Sequence, residues 1–398
     1  MKKLFTWIFK IIGGVLASLL GVIVVLMLMI WVADPTVLRN LVLGQSPTDP
    51  AGTQKSQPQE VVLGQPAANI STGEPTWRDP SGIREAERYA DSTGSIALLV
   101  YQAGALRYEK YWPGFDQSTR TNPNSMHKTV LGLLVGAAIA DGFIDSVDAP
   151  ASKWITEWQG DARRDITIRD LLQMSSGLQV PIFGTWNSAK ILFGSDLAAG
   201  VLGLPSVTPR GREFQYSNAN SQLLLLILER ATGQRYSTYL SKRLWQRLGA
   251  SDASMWMDHV GGLPRGFCCL FATARDWLRV GRLILDYGRV GDDPVVPSEW
   301  IASMVTPAPT NANFGYQVWL GSPPTQERRY NDYTVKAFHS VPFDAADMVY
   351  IDGFGGQRVY VVPSLQLVIV RTGKSTMSWD DAIIPNAVIK SVSSGVSQ

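Results

Sequence analysis

Ser125 and Lys128 stand three apart at the head of an apolar run, and Tyr216-Ser217-Asn218 follows later in the chain. Together they offer a hydroxyl nucleophile, an amine to take its proton and a phenol to relay one. That set suits acyl transfer without a catalytic histidine. Residues three apart share a helix face, so Lys128 is expected beside Ser125. A free lysine titrates near ~10.4 and is a poor base. Burial lowers that value and makes the amine usable. Ser-x-x-Lys occurs by chance about once in a chain of this length. This copy is set apart by its place at the start of a helix that is apolar nearly all round, residues 130–140. Asn122-Pro123-Asn124 signals its start and Asp141-Gly142 its end. Free N–H groups at such a start also favour developing negative charge.

In an extended segment, positions two apart face the same side, so Tyr216 and Asn218 can enter one cleft. Taken alone, Tyr216 could equally be a core ring and Asn218 the cap of the apolar helix at residues 223–228. Gly353-Phe354-Gly355-Gly356-Gln357 begins a late hairpin. Small residues at a strand start let backbone approach a ligand, so Gly353 and the N–H of Phe354 are candidate oxyanion contacts together with the N–H of Ser125. An ordinary glycine turn is the alternative. Arg371-Thr372-Gly373 reads as a lead-in to a helix or loop. His127, at i+2, points away from Ser125. His259 and His339 lack an aspartate at a telling spacing, and no Gly-x-Ser-x-Gly elbow exists, so a Ser-His-Asp triad is not expected.

These residues need a scaffold, and 398 residues suffice for one large domain or two intimate subdomains. The net charge of +2 gives no sign of nucleic-acid binding. The two cysteines, Cys268 and Cys269, are adjacent and no cluster of His or Cys lies near them. They read as buried thiols, neither bridged nor metal-binding. At the N-terminus Lys2, Lys3 and Lys10 precede an apolar run over residues 11–33. A bilayer needs about 20 such residues. A cleaved signal peptide competes, but its core is shorter, and Trp31-Val32-Ala33 is a poor cleavage site. An uncleaved single-pass anchor is favoured, with the lysines cytoplasmic and the rest periplasmic or extracellular.

Residues 1–33 are thus expected to be a stub and transmembrane anchor, residues 34–75 a flexible linker rich in Gln, Pro, Gly, Ser and Thr, and residues 76–392 the folded domain. Residues 83–92 read as a helix, residues 95–101 and 106–111 as a hairpin, and residues 357–362 and 365–370 as a second hairpin. The stretch from 125 to about 287 reads as mostly helical. The expectation is an α+β domain with an antiparallel sheet built from both ends and a helical subdomain beside it.

The order Ser-x-x-Lys, Tyr-x-Asn and a glycine-rich strand resembles the penicillin-recognising serine hydrolases. These include class C β-lactamases, D-alanyl-D-alanine carboxypeptidases, family VIII esterases and 6-aminohexanoate-dimer hydrolases. Residues 171–178 (Leu-Leu-Gln-Met-Ser-Ser-Gly-Leu) and the Ala-Thr-Ala-Arg-Asp at 272–276 look like two further segments of that family. The resemblance implies a β-lactamase/transpeptidase-like fold, no cofactor or metal, and a small or short oligomeric amide or ester as substrate. It implies Ser125 as nucleophile, Lys128 and Tyr216 as proton-transfer groups, and an acyl-enzyme cleaved by water. The family's Lys-Thr-Gly or His-Thr-Gly is missing, and Asp347-Met348-Val349 stands roughly in its place. That brings the chain nearer the aminohexanoate-dimer hydrolases and esterases. A β-lactamase or carboxypeptidase, and a non-catalytic anchored sensor, are the alternatives.

Overall fold

Runs of alternating and continuous apolar residues at both ends of the chain set the architecture. The computed structural model describes residues 2–42, 52–67, 70–75, 77–333 and 337–392. Helix α1 (Lys2–Ala33) contains an unburied 24-residue stretch, Lys10–Ala33, long and apolar enough to span a membrane. The side chains of Lys2 and Lys3 lie outside the described part. After α2 (Pro35–Val42) come β1 (Gln59–Val62), α3 (Pro80–Ser92), the hairpin β2 (Ser95–Gln102) and β3 (Ala105–Tyr111), and β4 (Arg120–Thr121). Ser125 sits in a 3-10 turn, Asn124–Met126, that runs into α4 (His127–Ala140). The middle of the chain supplies α5 (Trp186–Phe193), α6 (Asn218–Thr232), β5 (Ala253–Trp256), β6 (Leu270–Thr273) and α7 (Ala274–Leu285). The last part supplies β7 (Trp319–Leu320), β8 (Val349–Gly353), β9 (Gln357–Val362), β10 (Leu367–Gly373) and α8 (Ile383–Val392).

Six antiparallel strands in the order β3-β2-β10-β9-β8-β7 form the larger sheet. The two ends of the chain meet between β2 and β10, where Leu99 pairs with Val370 and Val100 with Ile369. Period-two alternation then divides the core. Leu99, Val361 and Val370 face the layer that holds α4 and α7, whereas Leu98, Tyr360 and Ile369 face α3 and α8. At α7 the layers come close through Gly281, where a Cβ would press on Val359 and Val368. The antiparallel sheet from both ends, expected from sequence, is therefore present.

Three details depart from expectation. The stretch at 125–287 is not purely helical: β5 and β6 lie in it and form a second sheet, β1-β5-β6-β4. The expected linker is partly folded, because α2 packs on α5 and β1 pairs with β5, burying Val62. Its residues 43–51 and 68–69 lie outside the described part. Finally, Cys268 and Cys269 are bonded to each other instead of being free. Cys269 adopts a positive φ of 70° in this pair.

Candidate active site

The buried helix α4 dictates the state of Lys128. Every side chain from His127 to Ala138 is buried, and Lys128 is 2% exposed. Its Nζ lies 2.9 Å from Ser125 Oγ, 2.9 Å from Asn218 Oδ1 and 2.8 Å from the carbonyl of Phe267. Burial drives its pKa down to about 7, with the charge of Asp352 pulling the other way. Two of the three neighbours can only accept hydrogen bonds. A neutral amine has two N–H groups, which Asn218 and Phe267 take, so its lone pair is left for the Ser125 hydroxyl. The arrangement can thus remove a proton from Ser125.

Tyr216 and Asn218 enter from the start of α6. Ser217, not Asn218, is the helix cap, its hydroxyl accepting from Ala219 N at 3.3 Å. Asn218 is freed to hold the lysine. Tyr216 is half-buried in an aromatic wall: its ring stacks on Trp319 at 5.8 Å and meets Tyr330 edge-on at 5.2 Å. Lys128 Nζ lies 5.0 Å from the Tyr216 ring centre. Burial raises the phenol pKa above its ordinary value, the Asp352 charge adds to that, and a hydrogen bond with Ser125 opposes it. The phenol is therefore protonated at neutral pH and suited to giving a proton. Its backbone is pinned by Tyr330 O, which accepts from Tyr216 N at 2.8 Å, and by Asn331 Nδ2, which donates to Tyr216 O at 2.9 Å.

Gly353 ends β8 against the turn that carries Ser125. A Cβ there would collide with the Pro123 carbonyl and lie 3.1 Å from Met126 Cγ. Asn124 Nδ2 then donates to the Phe354 carbonyl at 2.9 Å, tying the glycine turn to the serine turn. The next turn is held from beneath by buried Arg371, which donates to the carbonyls of Gly355 (3.2 Å) and Gly356 (3.1 Å). Arg371-Thr372-Gly373 is thus part of β10 rather than a lead-in to a loop.

All six residues singled out from sequence, Ser125, Lys128, Tyr216, Asn218, Gly353 and Phe354, belong to three segments that these contacts bring together. Asp347 does not join them. It lies before β8, at the end away from Gly353, and binds Ser364 N at 2.6 Å. The positions leading into Phe354 are Ile351-Asp352-Gly353, and Asp352 is buried between Arg358 (2.5 Å) and Arg328 (3.2 Å). His127 turns away from Ser125, contacting Cys268 O at 2.7 Å and Tyr236 Oη at 2.9 Å. Burial lowers its pKa to about 4, so it stays neutral. His259 and His339 do gain carboxylates, Asp258 at 3.0 Å and Asp381 at 3.8 Å, that spacing did not reveal.

Several supports left no signature in the sequence reading. Phe267 acts through its carbonyl, which carries no residue-type signal. Gln317 links three segments: its amide donates to Leu172 O (2.9 Å), its side-chain oxygen accepts from Ser221 (2.7 Å), and its carbonyl accepts from Thr129 (2.7 Å). Ser176, in the Leu-Leu-Gln-Met-Ser-Ser-Gly segment, donates to Asn220 Oδ1 at 2.8 Å and so braces the first turn of α6.

A family model described as beta-lactamase matches residues 83–385. A 6-aminohexanoate-dimer hydrolase of Paenarthrobacter ureafaciens is 32% identical over 239 residues, 56% of this chain and 60% of that protein. Penicillin-binding protein 4* of Bacillus subtilis (strain 168) is 28% identical over 176 residues, 40% of this chain and 37% of that protein. The chain thus spans less than two thirds of either relative. Among solved structures, a Bacillus anthracis protein provisionally named a 6-aminohexanoate-dimer hydrolase superposes with a TM-score of 0.69 at 19% identity, covering 85% of this chain and 90% of the other. The hydrolase EstCE1 superposes at 0.60 with 14% identity, over 78% and 98%. The fold is the one these proteins share.

The close approach at Gly353 gives a direct test. Gly353→Ala should still fold but lose about 1–3 kcal/mol of stability, because the strand end and the serine turn must move apart. Hydrolytic turnover should drop on the order of 100-fold, because a displacement near 1 Å is enough for that. Full turnover in the variant would show that the strand yields without moving Phe354.

Proposed function

The chain belongs to the β-lactamase family, and on that footing we propose that it is a membrane-anchored serine hydrolase cleaving an amide or ester through an acyl-serine intermediate. The observation that carries this is the Lys128 amine, fully enclosed, 2.9 Å from Ser125 Oγ, with its other two partners acceptors only. Ser125 Oγ attacks the substrate carbonyl while its proton passes to Lys128 Nζ. The N–H groups of Ser125 and Phe354 receive the oxyanion. Tyr216, kept protonated by burial, delivers a proton to the departing amine or alcohol and takes one back from the Lys128 ammonium, so that both groups regain their starting states. Water then attacks the acyl-enzyme, Lys128 again serving as base and passing that proton to Ser125 Oγ as the acid product leaves.

The substrate class follows from what leads into Phe354. Family β-lactamases and carboxypeptidases place a cation there to hold a substrate carboxylate. This chain has Ile351-Asp352-Gly353, and buried Arg328 and Arg358 are engaged by Asp352 and Asp381. A linear amide or a simple ester fits this arrangement better than a penicillin, in keeping with the relative named as an aminohexanoate-dimer hydrolase. The 24-residue apolar stretch of α1 supports the anchor reading, with Lys10 and the N-terminal lysines cytoplasmic and the domain periplasmic or extracellular.

Three measurements test the reading. A fluorophosphonate, which phosphonylates an activated serine with loss of fluoride, should add one mass increment to the parent chain and none to Ser125→Ala; labelling that survives the substitution removes Ser125 as nucleophile. The kcat/KM profile should rise with pH through about 7 and then level, because Lys128 is a base only when neutral; a flat profile from pH 5 to 9 contradicts its role. Tyr216→Phe should cut turnover of a linear amide by roughly 10²–10⁴-fold but that of a p-nitrophenyl ester far less, since nitrophenolate leaves without a proton. Equal losses on both substrates would take Tyr216 out of leaving-group protonation.

A further inference from the structure

The end of the apolar helix is fastened to the hydrolase domain by one carboxylate. Asp34 follows α1 without a spacer, its N–H donating to Ile30 O at 2.8 Å, so the helix hydrogen bonding continues into it. Its Oδ1 accepts from Thr36 N at 2.9 Å and Val37 N at 3.4 Å, capping the start of α2. Its Oδ2 accepts from Ser195 N at 2.9 Å and Ser195 Oγ at 3.2 Å, just beyond the end of α5. Six residues on, buried Asn40 donates to Phe193 O at 2.8 Å, and Val37 is fully buried between them. Arg265 holds the same corner from inside, donating to Leu192 O and Gly194 O at 2.9 Å each. The contact is a built joint, not a passing touch of a tether.

This joint fixes where the domain sits. The 24 residues Lys10–Ala33 rise about 36 Å at ~1.5 Å each, against a hydrocarbon core of about 30 Å. Asp34 then lies at the headgroup level of the far leaflet, and whatever surrounds Asp34 lies there too. Val260 (85% exposed) stands at the tip of the turn whose His259 Nδ1 contacts Ser195 O at 2.9 Å, and Leu41 (47%) and Val42 (64%) are exposed at the end of α2, within about 12 Å of Asp34 along that helix. Arg39, exposed on α2, adds a cation for lipid phosphate.

We infer that the surface bearing Leu41, Val42 and Val260 rests on the lipid bilayer that α1 crosses, so that the domain is docked on the membrane face instead of swinging on a leash. The occupant is the headgroup–acyl boundary, which accepts scattered apolar side chains beside a basic one. The inference rests on α1 being an uncleaved anchor.

The test uses the full chain reconstituted in phosphatidylcholine vesicles containing doxyl-labelled lipid. Bimane is attached at Val260→Cys or at Val290→Cys, the latter beyond the far end of α7, which carries the chain about 18 Å away from β6. The unsubstituted chain, taken through the same labelling, gives the background. Quenching at position 260 should exceed that at 290 at least twofold. Adding Asp34→Ala should bring the two together while the chain still floats with the vesicles. Equal quenching at 260 and 290 in a floating chain of full mass overturns the docking and leaves the anchor intact. A chain that has lost its first 33 residues and stays behind on flotation overturns the anchor reading, and the docking with it.

Discussion

A lysine enclosed in an apolar helix is the constraint on which the rest of this protein turns. Desolvating an ammonium is costly unless partners repay it, and here the protein supplies only two acceptors and a serine. With its pKa down to about 7 the neutral amine becomes readily populated, and with it comes a lone pair available to a hydroxyl. Asn218, the Phe267 carbonyl and the buried walls of α4 are therefore one device. Each matters because it leaves the amine only one remaining partner to turn to.

Around that device the fold supplies rigidity from two directions. The six-stranded sheet delivers Gly353 and Phe354 to the serine turn, and Arg371 locks the glycines from below. The helical layer delivers Tyr216 and Asn218 through the start of α6, braced by Gln317, Ser176 and the aromatic wall of Trp319 and Tyr330. Behind both lies a buried set of two arginines and two aspartates, Arg328, Arg358, Asp352 and Asp381. Asp352 reaches both titrating groups electrostatically, raising Lys128 and Tyr216 alike. The charges of the strand are thus spent inside the protein and are not presented to a ligand.

What could be read from sequence was local. Ser125 with Lys128, and Tyr216 with Asn218, announce themselves by spacing along one helix turn or one extended segment. The two terminal hairpins show through their period of two. The segments whose structure differs from expectation lack such marks. Leu270 to Thr273 is a short buried apolar stretch, and periodicity does not separate a buried strand from a buried helix. Gln59–Val62 hides in a polar, proline-rich region and becomes a strand only because β5 offers it an edge. Neighbouring cysteines do not ordinarily bridge, so nothing in their spacing announces the bond between Cys268 and Cys269. The Phe267 carbonyl, Gln317 and Arg371 act across long separations through backbone groups, and a single sequence carries no trace of that.

The contacts that tune Lys128 span 90 residues to Asn218 and 139 to Phe267. A chain still emerging, stretched or partly folded has neither, and its lysine titrates near ~10.4, fully protonated at neutral pH. On the proposed mechanism such a chain holds an inert serine. Reactivity switches on only when distant parts have closed around the amine, so the nucleophile is armed by the completion of the fold itself.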